Sequence, residues 1–281
     1  MKTNVDSELN IFSLNVQHLH NKIDKLRLDI SDYQQFDLLC FNECNLKLET
    51  LPHGIADILL DGFHEPVFQP PIRTSGKGGG LTIYVNRRIC EESDIDKTFN
   101  PNPEPENLSG EFQFIKIKNF KGSNKTAVVG NVYRSPSRNP EKFNNLLENV
   151  LQKLQRHVKK KFLYLVGDFN QDLIKHDCDT NSQNLIDITS SHGLVQLVSR
   201  PTRITDSSAT LIDHVYTNNV DNVISCNILT LDLSDHLAIH TKLSLNSNCN
   251  RLIIDKQTAD KKKEFRIFNE ASRCQFESLI N

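Results

Sequence analysis

One nine-residue stretch, Phe162–Asn170, limits more than any other what this chain can fold into. Five apolar residues in succession predict a strand that is buried on both faces. The run ends abruptly in Gly-Asp-Phe-Asn, and a buried strand cannot enclose a carboxylate without a large loss of solvation free energy. Asp168 and Asn170 are therefore expected where the strand emerges, and Gly167 permits a tight turn there. Such strand ends are where sites gather in layered α/β proteins.

Several other predicted strands end in polar residues of the same kinds. A lone Gly-Asp would more often be a simple polar turn, and the repetition is what favours a site. The polar residues at or beside strand ends are Asn15, Glu43, Tyr133, Asp168, Asn170, Asp213, Asp235 and His236. Asp213 differs from the others, because it lies inside the predicted strand Leu211–Thr217.

Predicted helices separate these strands. Asn21–Tyr33 carries apolar residues at helical spacing. Asn139-Pro140-Glu141 is typical of a helix start, and its apolar face continues to about His157. Gln183–His192 predicts a short helix that a glycine stops. Glu111–Lys118 alternates between polar and apolar residues and predicts a half-buried strand. This order of elements predicts an α/β fold.

A glycine-rich segment precedes one of the strands. A phosphate-binding loop requires a lysine that is followed by Ser or Thr and then by a helix. Here Lys77 is followed by Gly78 and then by the strand-like run Leu81–Val85, so a turn that enters a strand is the better interpretation. Arg73 and Lys77 remain candidates for facing a polyanion.

Bulk charge excludes one class of protein. The chain has 33 basic and 35 acidic residues among 281, so it is not a nucleic-acid binder by net charge. Any polyanion would have to be held by a local patch or by a bound metal ion. A hydrophobic content of 37% is ordinary for a globular domain with a sizeable core.

Cysteine usage and hydropathy indicate the compartment. The seven cysteines include no Cys-x-x-Cys pair, which disfavours a zinc site or a disulfide framework and favours a reducing environment. No apolar run approaches the ~20 residues of a membrane span. The amino terminus lacks the apolar core of a signal peptide. We therefore expect an intracellular protein of the nucleus, the cytoplasm or both, without a membrane partner.

The residue types at the strand ends indicate the chemistry. Asp and Glu supply the hard oxygen ligands that suit Mg²⁺ or Mn²⁺. His236 can pair with Asp213, a carboxylate that fixes the histidine tautomer and stabilises the imidazolium. No Cys or Ser stands in a nucleophile elbow. The set therefore favours metal-assisted hydrolysis over covalent catalysis.

With four further segments, these residues resemble the endonuclease/exonuclease/phosphatase superfamily. More narrowly, they resemble the apurinic-type endonuclease domain of LINE-type (non-LTR) retrotransposons. The four segments are Gly78–Val85, Val132–Pro136, Arg200–Arg203 and Thr210–Val215. Each motif is weak alone, whereas several in the right order are strong. The resemblance covers about residues 9–245.

The resemblance implies a four-layered α/β sandwich of two packed mixed sheets flanked by helices, the DNase I-like fold. It implies that Glu43, Asn15 and Asp235 bind or adjoin a catalytic Mg²⁺ or Mn²⁺. Asp168 would orient or deprotonate the attacking water, and Asn170 would hold the scissile phosphate. Tyr133 would contact that phosphate. His236, paired with Asp213, would stabilise the charge that develops on phosphorus oxygens.

The implied substrate is duplex DNA, nicked to leave a 3′-hydroxyl that primes reverse transcription. Element RNA and a reverse transcriptase are the partners expected in a full-length polyprotein. We expect Arg134, Arg200 and Arg203 to contact the DNA backbone. As bare residues, arginines at such positions are more often solvated charges.

The expected organisation is a tail (1–8), the catalytic domain (9–245), a polar linker (246–263) and a helical start (264–281) of a region on the reverse-transcriptase side. Two residues depart from the family pattern. Cys44 follows Glu43 where a small hydroxyl residue is expected, and Gln17 lies where Asp or Asn is frequent. The Leu-Ile-Asp-His form around Asp213 lacks the Arg of some repair relatives, which argues against abasic-site repair.

Two alternatives remain open. The first is a phosphatase of the same superfamily that acts on a small phosphoester. The absence of any Trp weakens it, because inositol phosphatases show Pro-Ala-Trp-Cys-Asp-Arg near the place of Asp213. The second is a catalytically inactive, transposon-derived module that binds DNA without cleaving it, in a salt-sensitive manner.

Overall fold

The computed structural model describes residues 8–72, 78–102, 104, 107–122, 125–157 and 162–245. The strands are β1 (Glu8–Asn15), β2 (Leu38–Asn42), β3 (Val67–Gln69), β4 (Leu81–Val85), β5 (Ile95–Asp96), β6 (Glu111–Ile117), β7 (Ala127–Tyr133), β8 (Phe162–Asp168), β9 (Val195–Gln196), β10 (Arg203–Thr205), β11 (Ser208–Thr210), β12 (Asp213–Thr217), β13 (Val223–Leu229) and β14 (Ala238–Ser244). The helices are α1 (Ile23–Leu28), α2 (Ile30–Tyr33), α3 (Pro140–His157) and α4 (Thr180–Ser191). Arg73, Lys77, the predicted linker and the predicted C-terminal helix lie outside the described residues.

The strands form two six-stranded sheets and one separate two-stranded ribbon. The first sheet has the order β13-β14-β1-β2-β4-β3, and the second has the order β5-β6-β7-β8-β12-β9. Each sheet contains one parallel pair, β1 with β2 and β7 with β8. The other neighbours are antiparallel. The ribbon is the β10–β11 hairpin.

Alternation along the first sheet builds the layers. Leu38 and Cys40 belong to the core between the sheets, whereas Leu39 and Phe41 pack with α1 on the opposite face. This is the period of two that a strand buried on both faces requires. The apolar face of α3 packs with residues of the second sheet. The result is the predicted four-layered α/β sandwich, with two mixed sheets inside and helices outside.

A buried amide pair joins the two sheets. Asn42 Nδ2 donates to Asn131 Oδ1 at 2.7 Å and to the Val132 carbonyl at 3.0 Å. Asn131 Nδ2 in turn donates to the Phe41 carbonyl at 2.9 Å. Buried amides are stable only when they are bonded in this way. The pair therefore fixes how β2 sits against β7, close to the strand ends.

Gly167 shows how closely β8 approaches its neighbours. Its φ is +137°, and a Cβ there would lie 2.0 Å from the Val132 carbonyl oxygen. No other residue fits at that distance. Gly167 was predicted to permit a tight turn, but it lies within β8, and glycine is required there by a close approach to the backbone of β7.

Three local predictions differ from the structure. The predicted helix Asn21–Tyr33 is divided into α1 and α2 at Asp29. Asp213 is the first residue of β12 and does not lie inside a strand. The strand β6, predicted to be half-buried, is buried except at Lys116. Its polar residue Gln113 is partly satisfied inside, because Nε2 donates to the Val67 carbonyl at 2.8 Å while the buried Oε1 has no hydrogen-bond partner.

The topology brings several strand ends to one edge of the sandwich, which we call the rim. The carboxyl ends of β1 and β2 lie there because these strands are parallel. The carboxyl ends of β7 and β8 lie there for the same reason. The amino ends of β12 and β14 join them, because these strands run antiparallel to β8 and β1. The predicted site residues lie at these six strand ends.

No helix within the described ranges is long and apolar enough to cross a membrane. The five cysteines in the described part of the chain are free thiols. They are Cys40, Cys44, Cys90, Cys178 and Cys226.

Candidate active site

Asp168 is the centre of the polar network at the rim. Its side chain is fully buried. Oδ2 accepts from Asn15 Nδ2 at 2.9 Å and from Asn170 Nδ2 at 3.0 Å, and Oδ1 accepts from the Asn170 backbone amide at 2.9 Å. Asn15 lies in the first sheet and Asp168 in the second. The bond between them therefore joins the sheets at the site.

Strand register places four polar side chains in a row across the second sheet. Tyr133 is paired with Asp168 in the parallel ladder, and Asp213 is paired with Asp168 in the antiparallel one. Glu111 is paired with Tyr133 on the other side. Directly paired residues project from the same face of a sheet. The side chains in this row therefore project from the same face of the second sheet at the rim. They are Glu111, Tyr133, Asp168 and Asp213.

Glu43 comes from the first sheet, one residue after β2. Asn15 Nδ2 donates to Glu43 Oε1 at 3.1 Å, so one amide bonds both Glu43 and Asp168. Glu43 has a φ of +50°, in the left-handed region that is unfavourable for a residue with a Cβ. Its carbonyl accepts from the His18 amide at 2.8 Å, which helps to hold this conformation.

Backbone strain is concentrated at this rim. Of the seven described non-glycine residues with positive φ, five follow β1, β2 or β8. They are Gln17, His18, Glu43, Asn45 and Asn170. Such conformations persist where the surrounding structure over-determines them, and they cluster at functional sites.

Tyr133 and the glycine segment close one side of the site. A Cβ on Gly78 would lie 3.1 Å from Tyr133 Oη and 3.2 Å from Glu43 Oε2, so the backbone approaches both groups closely. Glu111 Oε2 accepts from the Gly80 amide at 2.6 Å and holds the segment in place. Burial and the Glu43 carboxylate raise the pKa of Tyr133, so the phenol stays protonated. The segment is the predicted turn into a strand.

Asp213 and His236 form a buried pair. His236 Nδ1 donates to Asp213 Oδ2 at 2.8 Å and lies 3.1 Å from Oδ1. Burial by itself would lower the pKa of His236, but the Asp213 carboxylate outweighs it and raises the pKa to about 9. The imidazolium is therefore the main form at neutral pH. This is the pairing that the sequence predicts.

The surroundings of Asp168 contain an excess of carboxylates, namely Asp213 and Glu43. Burial and the neighbouring Asp213 carboxylate raise the pKa of Asp168 to about 8, although His236 and the Asn15 amide act against this. Amide donors supply hydrogen bonds but no full positive charge. A buried carboxylate with carboxylate neighbours is the type of perturbed group that marks functional sites.

The donor set fits a divalent cation. The ligand-type atoms of Asp168, Asp213 and His236 lie within 4.8 Å of one another, and all three residues are buried. Glu43 adds carboxylate oxygens beside this cluster, whereas Asn15 presents Nδ2 to Glu43 and Asp168 and its Oδ1 accepts from the Gln17 amide at 3.2 Å. A bound cation would supply the positive charge that lowers the pKa of Asp168. All three residues of this cluster are ones that the sequence assigned to catalysis, and none is a predicted metal ligand. In the protonated form His236 offers no lone pair to a metal ion, so the carboxylates are the ligands that such an ion would use.

Asp235, predicted as a metal ligand, is engaged elsewhere. Its Oδ2 accepts from Arg203 Nε at 2.9 Å and from Arg203 Nη2 at 2.6 Å. Both side chains are about 40% exposed. Asp235 also contributes to the raised pKa of its neighbour His236. Its carboxylate therefore lies near the site but is paired with Arg203.

The structure argues against a DNA contact for Arg134. The residue is only 4% exposed. Its guanidinium donates to the carbonyls of Phe169, Ser135, Arg138 and Asn170. These bonds leave little capacity for a phosphate, and they stabilise the loops after β7 and β8. Arg200 is exposed, and Arg203 is partly exposed, so their predicted contacts stay predictions.

Asn170 also differs in part from its predicted role. Nδ2 donates to the Arg134 carbonyl at 2.7 Å as well as to Asp168. In this arrangement Asn170 orients Asp168, and any contact with a phosphate would have to involve a change of these bonds.

Sequence reasoning missed two groups at the site. Glu111 holds the glycine segment, and its alternating surroundings suggested a solvent-facing carboxylate. Thr202 is fully buried within a segment that reads as an exposed basic loop. The available signal was position: Glu111 starts a strand, and Thr202 follows a proline just before one.

Comparison with known proteins identifies the class. The sequence profile of a family described as endonuclease-reverse transcriptase matches residues 127–240. These residues run from the first residue of β7 into β14 and include Asp168, Asp213 and His236. No curated protein matches the sequence.

Solved structures share the fold at low sequence identity. The endonuclease domain of TRAS1, a telomere-specific non-LTR retrotransposon, is 14% identical, with a TM-score of 0.60 over 85% of this chain and 99% of that one. The Leishmania major AP endonuclease LMAP is 12% identical, with a TM-score of 0.66 over 86% and 89%. The Neisseria 3′ phosphatase NExo, bound to a product DNA hairpin, is 17% identical, with a TM-score of 0.61 over 84% and 99%.

The solved structures show that the chain has the DNase I-like fold. Over residues 127–240 the chain is similar to the endonucleases associated with reverse transcriptases.

Proposed function

We propose that this protein is a divalent-metal-dependent endonuclease that nicks duplex DNA and leaves a 3′-hydroxyl. We further propose that it derives from a non-LTR retrotransposon polyprotein or a remnant of one. The observation that carries the proposal is the buried network around Asp168, which joins Asn15 and Glu43 from one sheet to Asp213 and His236 from the other. The match to the endonuclease-reverse transcriptase profile supports the same assignment.

We assign a separate role in the reaction to each of the residues at the site. Asp168 would orient the attacking water and accept its proton. Asn15 and Asn170 hold the Asp168 carboxylate in one orientation by hydrogen bonds. Tyr133, protonated and buried, offers a hydroxyl donor to the phosphate. The imidazolium of His236 stabilises the negative charge that develops on the phosphorus oxygens.

Glu43 and Asn15 would hold Mg²⁺ or Mn²⁺ at the carboxyl ends of β1 and β2, with Asp235 available if it leaves Arg203. When bound, the cation supplies Lewis-acid stabilisation of charge on the phosphate oxygens. The oxygen-rich donor set and the unneutralised charge at Asp168 are what favour such an ion.

The decisive experiment is nicking of supercoiled plasmid in Mg²⁺. The wild type should form open circles, and Asp168→Ala, Glu43→Ala and EDTA should each prevent this. Asp221→Ala is the matched control, because Asp221 is exposed and lies away from the rim. DNA polymerase should extend the nicks without prior phosphatase treatment, which reports a 3′-hydroxyl.

The same assay separates the alternatives. If the plasmid stays intact but the protein hydrolyses p-nitrophenyl phosphate or a 3′-phosphate on DNA, the phosphatase interpretation replaces ours. The fold match to a DNA-bound 3′ phosphatase is the observation that keeps this candidate in view. If neither reaction occurs but duplex DNA is bound in a salt-sensitive manner, the protein is a binding module.

A further inference from the structure

Thr202 is a fully buried residue in the segment that links β9 to the β10–β11 ribbon. Its hydroxyl oxygen Oγ1 accepts from the Asp213 amide at 3.0 Å and from the Ile212 amide at 3.3 Å. Its carbonyl oxygen accepts from the Leu237 amide at 2.6 Å. One residue therefore bonds the backbone on both sides of the Asp213–His236 pair.

The pair needs such a link because its members come from different sheets. Asp213 begins β12 in the second sheet, and His236 precedes β14 in the first. The hydrogen bonds between strands within either sheet do not by themselves fix the distance between Asp213 and His236. The neighbouring backbone adds a second tie, because Arg203 forms an isolated β-bridge with His236.

We propose that Thr202 is a positioning residue that sets the separation and orientation of Asp213 and His236. The proposal rests on the nuclease function proposed above, since the pair is assigned to transition-state stabilisation there. Thr202 does not reach the reacting atoms. It acts by holding the Asp213 amide with its side chain and the Leu237 amide with its backbone.

The side-chain bonds can be removed almost without a change of shape. Valine has the shape of threonine but lacks the acceptor, so Thr202→Val deletes the bonds to Ile212 and Asp213. Thr202→Ser keeps the acceptor. Thr189→Val is the matched control, because Thr189 is also buried but its Oγ1 bonds the Leu185 carbonyl within α4.

We expect Thr202→Val to lower kcat for nicking by about 10–100-fold, the usual cost of losing a group that orients a catalytic side chain. KM should change by less than about twofold, because no substrate contact is lost. Thr202→Ser should restore most of kcat, and Thr189→Val should retain it. Equal losses of kcat in Thr202→Val and Thr189→Val would overturn the proposal.

A double variant tests whether Thr202 acts through His236. In a His236→Ala background, Thr202→Val should lower kcat by less than about threefold beyond the loss caused by His236→Ala alone. The effects of groups that act as a unit are not additive. If the losses of kcat from the two single variants multiply in the double variant, Thr202 does not act through His236 and the proposal is wrong. If valine prevents folding, Thr202→Ala removes the same acceptor without added bulk, and the same criteria apply.

Amide hydrogen exchange separates this proposal from the nuclease assignment. The Asp213 amide should exchange at least about tenfold faster in Thr202→Val than in Thr202→Ser. Equal exchange rates of the Asp213 amide in the two variants would overturn the positioning role of Thr202, even if the wild type nicks DNA. If the Asp213 amide exchanges faster in Thr202→Val but the wild type does not nick DNA, the positioning role of Thr202 is supported and the nuclease function is rejected.

Discussion

Two aspartates, Asp37 and Asp168, have fully buried carboxylates in opposite electrostatic settings. Asp37 lies just before β2, at the end of the first sheet away from the rim. Its oxygens meet Arg88 Nη2 at 2.9 Å and Lys121 Nζ at 3.2 Å. The Asn10 amide adds a hydrogen bond at 2.7 Å. The charge of Asp37 is thus compensated by two cations.

Asp168 also has several hydrogen-bond donors, but its balance of charge is different. Its donors are amides, and its charged neighbours include Asp213 and Glu43 as well as His236. A buried charge without compensation is costly, and evolution retains such arrangements where they serve a function. The presence or absence of neutralising cations therefore distinguishes the structural carboxylate Asp37 from the proposed catalytic carboxylate Asp168, whereas burial does not.

The largest contrast should appear in activity. Asp168→Ala should reduce the nicking rate by about 10³-fold or more, because the proton acceptor is lost. Asp37→Ala should leave kcat per folded molecule within about twofold of the wild type. Rates normalised to the folded fraction test this directly. A comparable loss in both variants would remove the distinction between the two carboxylates.

Stability should show the reverse order. Asp37→Ala should lower the free energy of unfolding by about 3–5 kcal/mol, because it leaves the nearly buried Lys121 cation without its partner. Asp168→Ala should cost much less, since it also removes repulsion. Urea denaturation at pH 7 measures both values. A larger loss in Asp168→Ala than in Asp37→Ala would contradict the assignment.

Divalent cations should act on one region only. Mn²⁺ or Mg²⁺ at about 100 times its dissociation constant should stabilise the wild type by about 2.7 kcal/mol. Glu43→Gln should lose most of this gain, whereas Asp37→Asn should keep it. Thermal unfolding with and without the metal chloride is the measurement. An equal gain in Glu43→Gln would place the ion elsewhere.

The pH dependence should be the smallest of these effects. Because the pKa of His236 is raised to about 9, the imidazolium is present below that pH and is lost above it. The nicking rate should therefore fall about tenfold for each pH unit above 9. The same shift stabilises the folded protein below pH ~6.5, and this contribution disappears as the pH rises through 9.

His236→Gln supplies the control for the pH profile. Its rate should be low throughout and should lack the alkaline decline that the wild type shows. A decline of the same size in the variant would assign the titration to another group.

Local patterns predicted the parts of the fold and site that are local in origin. The apolar run before Asp168 predicted β8 with Asp168 at its carboxyl end, but not that the Asp168 side chain is fully buried. Asn139-Pro140-Glu141 predicted the start of α3. Four-layered packing came from the family resemblance. It could not have been derived from the spacing of residues within single elements.

The failures come from pairing between distant segments. Arg134 looked like a surface cation because sequence does not show that four carbonyls surround it. The bond between Asp235 and Arg203, 32 residues away, is also a tertiary contact that the sequence does not show, and the metal-binding role of Asp235 stays a prediction. The burial of Thr202 in a turn-rich basic segment was not visible for the same reason.

The strand order has a consequence for synthesis on the ribosome. The second sheet is built from one continuous part of the chain, from β5 to β12, whereas the first needs β13 and β14 to be complete. Domains fold as they emerge, amino-terminal parts first. A nascent chain that stops before residue 236 would carry Asp168 and Glu43 but no His236, and β1 would have an unpaired edge. Premature termination should thus release a protein with an incomplete rim and an unpaired sheet edge, which cellular proteases should degrade readily.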